Sequence, residues 1–254
     1  MLRIRLFGLS NRQLPRTLCE IKIDNMENII YNNKGEYMNC YCKENKEKFI
    51  YCVEDVEEKY FPNIEHAWFK REDGKFIKEY PNNIENKDIV KNNFKKYGES
   101  MFKSEGNWKY SLKIFVERCK SENIKWYIFG SASEAIIGVD IVPFDLDIII
   151  HVDHFYKVEK IFLDYLIEPF VNNKKTWVVQ FFGRICIEGV MIDIVAEEKL
   201  NENNNEYENI LWENLEIKLY PLLKRYNIEK EGKNRKERII KMEEYMNKNG
   251  IKYI

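Results

Sequence analysis

The hydrophobic texture of the chain changes near residue 100. Before that point, short apolar or alternating runs are separated by turn residues. The runs are Cys19-Glu-Ile-Lys-Ile, Ile29-Ile-Tyr, Tyr37-Met-Asn-Cys-Tyr-Cys, Lys48-Phe-Ile-Tyr-Cys-Val and Trp68-Phe-Lys-Arg, with Asn32-Asn33-Lys34-Gly35 and Glu72-Asp73-Gly74 between them. Alternation with period two, punctuated by Asn or Asp before Gly, predicts antiparallel hairpins. The stretch from Tyr80 to Lys87 predicts a long connecting loop. Residues 1–104 are therefore expected to form a β-rich accessory region, and no chemical motif lies in it.

After residue 106 helix alternates with strand. Trp108, Leu112, Phe115, Val116 and Cys119 mark one face of a helix over 108–122. Trp126-Tyr-Ile-Phe has the continuous apolar character of a buried strand. Gly130-Ser-Ala-Ser follows it and leads into a short helical stretch from Glu134 to Gly138. Asp145-Leu-Asp-Ile-Ile-Ile-His-Val predicts a second strand, and Phe155 to Leu166 an amphipathic helix. Thr176 to Phe182 and Ile185 to Val195 read as two strands joined by a Gly183-Arg184 turn. Tyr207 to Tyr226 and Asn234 to Asn247 read as helices, the first interrupted at Pro221 and the second stopped before Gly250. The expected organisation is a core over residues 105–200 and a helical tail over 201–254 that packs on it. The class is α+β.

Composition narrows the function classes. The 254 residues carry 41 Lys+Arg against 42 Asp+Glu, a formal charge of −1, which excludes a globally basic nucleic-acid binder. Hydrophobic residues make up 44% and aromatics 14%, enough for a core. No apolar run approaches the roughly 18 residues of a membrane span. The basic start Met-Leu-Arg-Ile-Arg-Leu-Phe-Gly is too short to hold a secretory core before Asn11 and Arg12, so a cytoplasmic protein with no membrane partner is expected. The six cysteines form no Cys-x-x-Cys pair. Cys40 and Cys42 would share one strand face as half-buried thiols, and His151 and His154 read as strand-end residues without a third ligand.

The informative constellation is Gly130-Ser131, then Asp145-Leu146-Asp147 beginning fourteen residues beyond Ser131, then Asp193 within Val190-Met-Ile-Asp-Ile-Val. Alternate residues of a strand share a face, so Asp145 and Asp147 project together while Leu146, Ile148 and Ile150 enter the core. Carboxylates held that close repel unless a cation sits between them. Mg²⁺ or Mn²⁺ suits oxygen ligands, and Asp193 on a neighbouring strand could complete a two-metal site. Gly130-Ser131 lies where a strand gives way to a helix, a place where free amides and the helix dipole favour phosphate. Together these parts describe a clamp for a nucleoside triphosphate: amides and the Ser131 hydroxyl on the β- and γ-phosphates, and carboxylate-held metal over the α-phosphate.

In these residues the sequence resembles the DNA polymerase β-like nucleotidyltransferase superfamily. The pattern is Tyr127-Ile-Phe-Gly-Ser, then Phe144-Asp-Leu-Asp-Ile, then Ile192-Asp-Ile, spread over residues 107–200. Gly138 and the Gly189-to-Asp193 segment make it most similar to the small-molecule-modifying and toxin-type branches. The resemblance implies a mixed sheet flanked by helices, two Mg²⁺ ions, and transfer of a nucleoside monophosphate from a triphosphate such as ATP to an acceptor hydroxyl, with release of pyrophosphate. It implies that Gly130 and Ser131 bind triphosphate and that Asp145 and Asp147 hold both metals. It implies further that Asp193 holds the catalytic metal and assists deprotonation of the acceptor, a small molecule or RNA.

One departure stands out. Many relatives place an Arg shortly before the first Asp, where this chain has Ile141-Val142-Pro143-Phe144. Arg184, Lys218 or Lys224 could do its work; otherwise the chain could be a catalytically weak nucleotide- or RNA-binding module of a toxin–antitoxin or regulatory system. Elsewhere, the basic run from Lys230 to Lys241 carries interleaved glutamates and reads as a solvated helix. Trp212, Leu215, Leu219, Leu222 and Leu223 read as the packing face of the helical tail. Glu188 falls on the strand face opposite Asp193 and is left out of the site.

Overall fold

The computed structural model describes residues 37–174, 179–198, 200, 207–233 and 235–253. The expected strands at Cys19–Ile23 and Ile29–Tyr31, the Asn32–Gly35 turn and the start of the Thr176–Phe182 run lie outside the described residues.

Two sheets organise the chain from Met38 onward. The first is antiparallel, in the order β1 (Asn39–Glu44), β2 (Lys48–Glu54), β4 (Lys75–Pro81), β3 (Lys70–Glu72). Asp73 and Gly74, both at positive φ (48° and 80°), make the two-residue β3–β4 turn. A short helix α1 (Phe61–His66) sits between β2 and β3.

The stretch after Asn82 is a brief loop followed by helix α2 (Lys87–Lys103), whose Val90, Phe94, Tyr97, Met101 and Phe102 are buried. Tyr51 of β2 packs edge-on against Phe49, Phe69, Tyr80 and Phe94, and its hydroxyl donates to the Ile167 carbonyl at 3.0 Å. That bond ties the first sheet to the second. One continuous apolar core runs through both sheets, from Phe49 and Phe94 to Ile148 and Ile192.

The second sheet has seven strands in the order β10 (Glu208–Trp212), β11 (Leu215–Leu219), β5 (Trp126–Phe129), β6 (Asp145–His151), β9 (Val190–Glu197), β8 (Phe181–Ile187), β7 (Leu166–Asn172). Its centre is β5 (Trp126–Phe129), β6 (Asp145–His151) and β9 (Val190–Glu197), with β6 parallel to β9 and antiparallel to β5. Helix α3 (Trp108–Ser121) packs on it through Leu112, Phe115, Val116 and Cys119. The Asn107 side chain caps α3 by accepting from the Lys109 and Tyr110 amides. Helix α4 (Gly130–Ile137) follows β5 directly, and α5 (Phe155–Ile161) leads into β7 (Leu166–Asn172). The fold is a mixed sheet flanked by helices, as the α+β expectation requires.

Two local expectations are corrected. Gly183-Arg184 is not a turn: β8 (Phe181–Ile187) runs straight through it, and the hairpin turns at Glu188-Gly189, with φ of 49° and 79°. Gly183 is there because a Cβ would come within 2.2 Å of the Phe170 ring on β7. Residues 208–219 are not helical but form the hairpin β10 (Glu208–Trp212) and β11 (Leu215–Leu219), which extends the sheet beside β5. Its turn, Glu213-Asn214, has both residues at positive φ (48° and 67°). The helical tail begins at α6 (Leu222–Ile228), continues through a π-turn and ends with α7 (Lys236–Lys248). Val139, Leu222, Tyr226, Met242 and Met246 form its own small core. No described helix is long and apolar enough to cross a membrane.

Candidate active site

Strand alternation and register bring the three aspartates together. Asp145 and Asp147 share one face of β6, and Asp147 stands opposite Asp193 on β9. One carboxylate oxygen from each lies within 4.8 Å of the others. Asp145 and Asp193 are each 6% exposed, so the repulsion acts in a poorly solvated place. Burial first, then the neighbouring Asp145 and Asp193 charges, push Asp147 up to about 7. Burial also raises Asp193, against the pull of Arg184.

A divalent cation fits this donor set: three hard oxygen ligands, converging, with a carboxyl driven toward its neutral form for want of positive charge. Asp145, Asp147 and Asp193 would hold it.

Gly130 adjoins the cluster. Its φ is +69°, and a Cβ there would stand 1.9 Å from Asp147 Oδ2. Both the backbone turn and the close approach demand glycine. Ser131 occupies the first turn of α4, whose amino end takes no side-chain cap. Ser133 Oγ donates to the Gly130 carbonyl at 2.8 Å and fixes the turn. Gly130→Ala is expected to push the Asp147 carboxylate aside and weaken Mg²⁺-dependent triphosphate binding at least ~10-fold while the chain stays folded. Calorimetric titration, with circular dichroism as the folding check, measures both.

Two basic side chains reach the carboxylates from positions the motif did not indicate. His66, at the end of α1 in the accessory region, places Nε2 2.8 Å from Asp145 Oδ2 and is raised above the ordinary histidine value by that bond. Arg184 on β8 grips Asp193 through both carboxylate oxygens, Nε to Oδ1 at 2.6 Å and a terminal nitrogen to Oδ2 at 2.9 Å. Its other terminal nitrogen bonds Glu168 at 2.5 Å and the Ala67 carbonyl at 3.0 Å. Glu168 also accepts from Lys78 and Tyr80, each at 2.5 Å. Arg184 and Glu168 are fully buried, and their pairing with Lys78 holds Glu168 below the usual carboxylate range despite burial. Burial moves Lys78 the other way, down to about 8. Of the cations that could replace the absent Arg before Asp145, Arg184 is therefore committed to Asp193 and Glu168. Lys218 lines a small recess with Lys125, Tyr127 and Tyr207, and Lys224 lies over the Tyr220 ring.

A second basic group lies behind Gly130. Glu134 of α4, 1% exposed, accepts from Arg225 of α6 and from both Nε and a terminal nitrogen of Arg238 of α7. Arg225 also stands 4.1 Å from the Phe129 ring centroid, directly before Gly130, and bonds Glu229 at 2.9 Å. Glu229 in turn pairs with Arg235, whose side chain is 41% exposed. Most of the described residues of the basic run are solvent-exposed, as its interleaved glutamates predict, and Lys241 pairs with Glu237 one turn before it. Arg238 departs from that pattern, turning inward to buried Glu134, and the positive field of Arg225 on α6 reaches Asp147.

No protein-family model matches the sequence. No curated protein matches it. Among solved structures, the chain is similar to a protein assigned as a nucleotidyltransferase from Thermotoga maritima, at 22% identity and a TM-score of 0.43, over 56% of this chain and 93% of that one. It is also similar to ANT(2'')-Ia, solved in complex with adenylyl-2''-tobramycin, at 10% identity and a TM-score of 0.41, over 57% of this chain and 93% of that one. A nucleotidyltransferase-like protein from Paracoccidioides brasiliensis is similar at 18% identity and a TM-score of 0.32, over 51% of this chain and 72% of that one.

Proposed function

We propose that the protein is a metal-dependent nucleotidyltransferase. The observation that carries this is the convergence of Asp145, Asp147 and Asp193 within 4.8 Å, beside a glycine whose Cβ would overlap Asp147 and at the start of an uncapped helix. A triphosphate laid on the Gly130-Ser131 turn would meet backbone donors and the dipole of α4. Arg225 and Arg235, whose charges reach Asp147, would supply positive field from behind the turn, in place of the Arg that Ile141–Phe144 lacks. Mg²⁺ or Mn²⁺ held by the aspartates would neutralise the phosphates and polarise the α-phosphorus.

In the reaction proposed, an acceptor hydroxyl gives its proton to Asp193. Its oxygen bonds to the α-phosphorus as the bond from that phosphorus to the β-bridging oxygen breaks, and pyrophosphate leaves. Arg184 fixes the Asp193 carboxylate in place through both oxygens. His66 orients Asp145 through a single bond to Oδ2.

The test is a pyrophosphate-release assay with each of the four nucleoside triphosphates and a pool of hydroxylated acceptors. Release by the wild type with Mg²⁺, and none with EDTA, is expected. Release of orthophosphate instead, or no turnover with any nucleotide, contradicts the proposal. A second reading draws on the same cations. His66 and Arg184 already bond two of the three carboxylates, which suits a nucleotide-binding module of low activity. That reading expects binding that persists in EDTA.

A further inference from the structure

A buried row of charges crosses the second sheet and ends at the aspartates. Glu168 of β7 stands opposite Arg184 of β8, Arg184 opposite Asp193 of β9, and Asp193 opposite Asp147 of β6. Neighbouring strands lie about 5 Å apart, so Glu168 is two strands, roughly 10 Å, along the row from Asp193. The β7–β8 ladder slips between Leu166 and Glu168 and again between Glu168 and Val171. Such irregularities re-aim single side chains, and the residue between these two is a carboxyl with no exposure.

Glu168 acts on Arg184 in two ways. It accepts from one terminal nitrogen at 2.5 Å, and it offsets part of the positive charge that Asp193 feels. Its own charge is offset in turn by Lys78 of β4, 2.5 Å away, while the Tyr80 hydroxyl adds a neutral bond. From the accessory sheet inward the signs therefore alternate: Lys78 positive, Glu168 negative, Arg184 positive, Asp193 negative. The side chains are 10%, 0%, 0% and 9% exposed in that order, so dissolved salt screens them little. Coupling runs the length of the row: the Glu168 charge raises Asp193, and the Asp193 charge acts on Lys78.

A cation at the three aspartates meets this row end-on. Arg184 opposes it, because it has the same sign and already holds both Asp193 oxygens. Glu168, by drawing on Arg184, favours it, and Lys78, by drawing on Glu168, opposes it.

We propose that the row sets the cation affinity of the aspartate cluster, with Glu168 positioning Arg184 and strengthening cation binding and Lys78 weakening it. This rests on the aspartates holding a divalent cation, though not on nucleotidyl transfer. The probe is Mn²⁺, a cation suited to carboxylate ligands, with the free ion read from its electron spin resonance at pH 7. It is titrated into the wild type, Glu168→Gln, Lys78→Met, the double variant and Tyr80→Phe, with folding checked by circular dichroism. Glutamine keeps the shape of Glu168 without its charge. Methionine keeps an apolar stem among the rings of Trp68, Phe69, Tyr80 and Phe182, whose centroids lie 5.1, 5.8, 5.7 and 5.6 Å from Lys78 Nζ.

Glu168→Gln is expected to bind Mn²⁺ at least ~3-fold more weakly than wild type, and Lys78→Met at least ~3-fold more tightly. The double variant and Tyr80→Phe should stay within about twofold of wild type. A network that only held the fold together would weaken binding in both single variants. Anything other than opposite shifts in those two would overturn the proposal. If Glu168→Gln fails to fold, tighter binding by Lys78→Met supports the proposal and equal or weaker binding overturns it. No Mn²⁺ binding by the folded wild type would overturn both this proposal and the cation site. A pyrophosphate-release assay on the same proteins keeps the claims apart, since its failure removes the transfer reaction while the Mn²⁺ series still decides the row.

Discussion

Asp147→Asn should abolish nucleotidyl transfer, by at least ~10²–10³-fold, and yet raise the thermal midpoint of the metal-free protein by several degrees. The two effects share one cause. Burial and the adjacent Asp145 and Asp193 lift Asp147 to about 7, against about 4 for an unfolded carboxylate. The folded chain therefore binds a proton that the unfolded chain does not, and stability falls as pH rises from about 4 to about 7, then stays low above 7. Every tenfold difference in proton affinity between the folded and unfolded chains corresponds to about 1.4 kcal/mol. Asparagine removes the charge that causes this. The gain over wild type should be largest near pH 8 in EDTA and vanish near pH 4. With Mg²⁺ the order should reverse, because the ion stabilises only a chain that binds it. Thermal scans of both proteins at pH 5 and 8, with and without the metal, measure all of this. A variant less stable than wild type at pH 8 in EDTA would show that Asp147 is not under repulsion.

Arg184→Ala should be the most destabilising single change in the site. Removing one partner of a buried ion pair leaves the other charge unsolvated and costs about 3–5 kcal/mol. Here it strands two carboxylates, Asp193 and Glu168, along with the Ala67 carbonyl. A chain of this size loses roughly 2–4 °C per kcal/mol, so the midpoint should fall by about 6–20 °C. Adding Asp193→Asn and Glu168→Gln should recover part of the loss, since the orphaned charges leave with their partner. Denaturant unfolding of the single and triple variants gives the comparison. Equal stability of Arg184→Ala and wild type would mean that water reaches this network.

The sheet centre was legible because the signals there are local. Asp145, Leu146 and Asp147 alternate against an apolar strand, so their two faces follow from the pleat alone. Gly130 follows from the same logic, since a strand that ends in Gly before a helix leaves room for a neighbour's side chain. The place of Arg184 opposite Asp193 was hidden by one misplaced turn. A Gly-X pair between apolar runs imitates a hairpin loop, and the true turn lies at Glu188-Gly189. With that turn, Arg184 falls opposite Asp193. Residues 208–219 misled in another way. Trp212, Leu215, Leu219 and Leu222 have helical spacing, while the alternation of Leu215, Ile217 and Leu219 is short and easily overlooked. His66 could not be found locally. Seventy-nine positions separate it from Asp145, and only the packing of the accessory sheet on the core brings them together.

The same packing explains why a region without a motif bears on the chemistry. His66 contacts Asp145, the Ala67 carbonyl accepts from the arginine that holds Asp193, and Lys78 bonds Ala67 and the Glu168 that shares that arginine. The C-terminal arginines join helix α4 through Glu134, and Glu229 ties them to one another. A motif that spans less than half of the chain is thus supported from both ends.

The most direct measurement is calorimetric titration of ATP, GTP, CTP and UTP into the wild type and into the Asp145→Asn/Asp147→Asn variant, with Mg²⁺ and with EDTA. The account predicts saturable binding of at least one triphosphate by the wild type with Mg²⁺, and its loss both in EDTA and in the double variant. Binding that survives in EDTA or without the two aspartates, or no binding by the folded wild type, would contradict it.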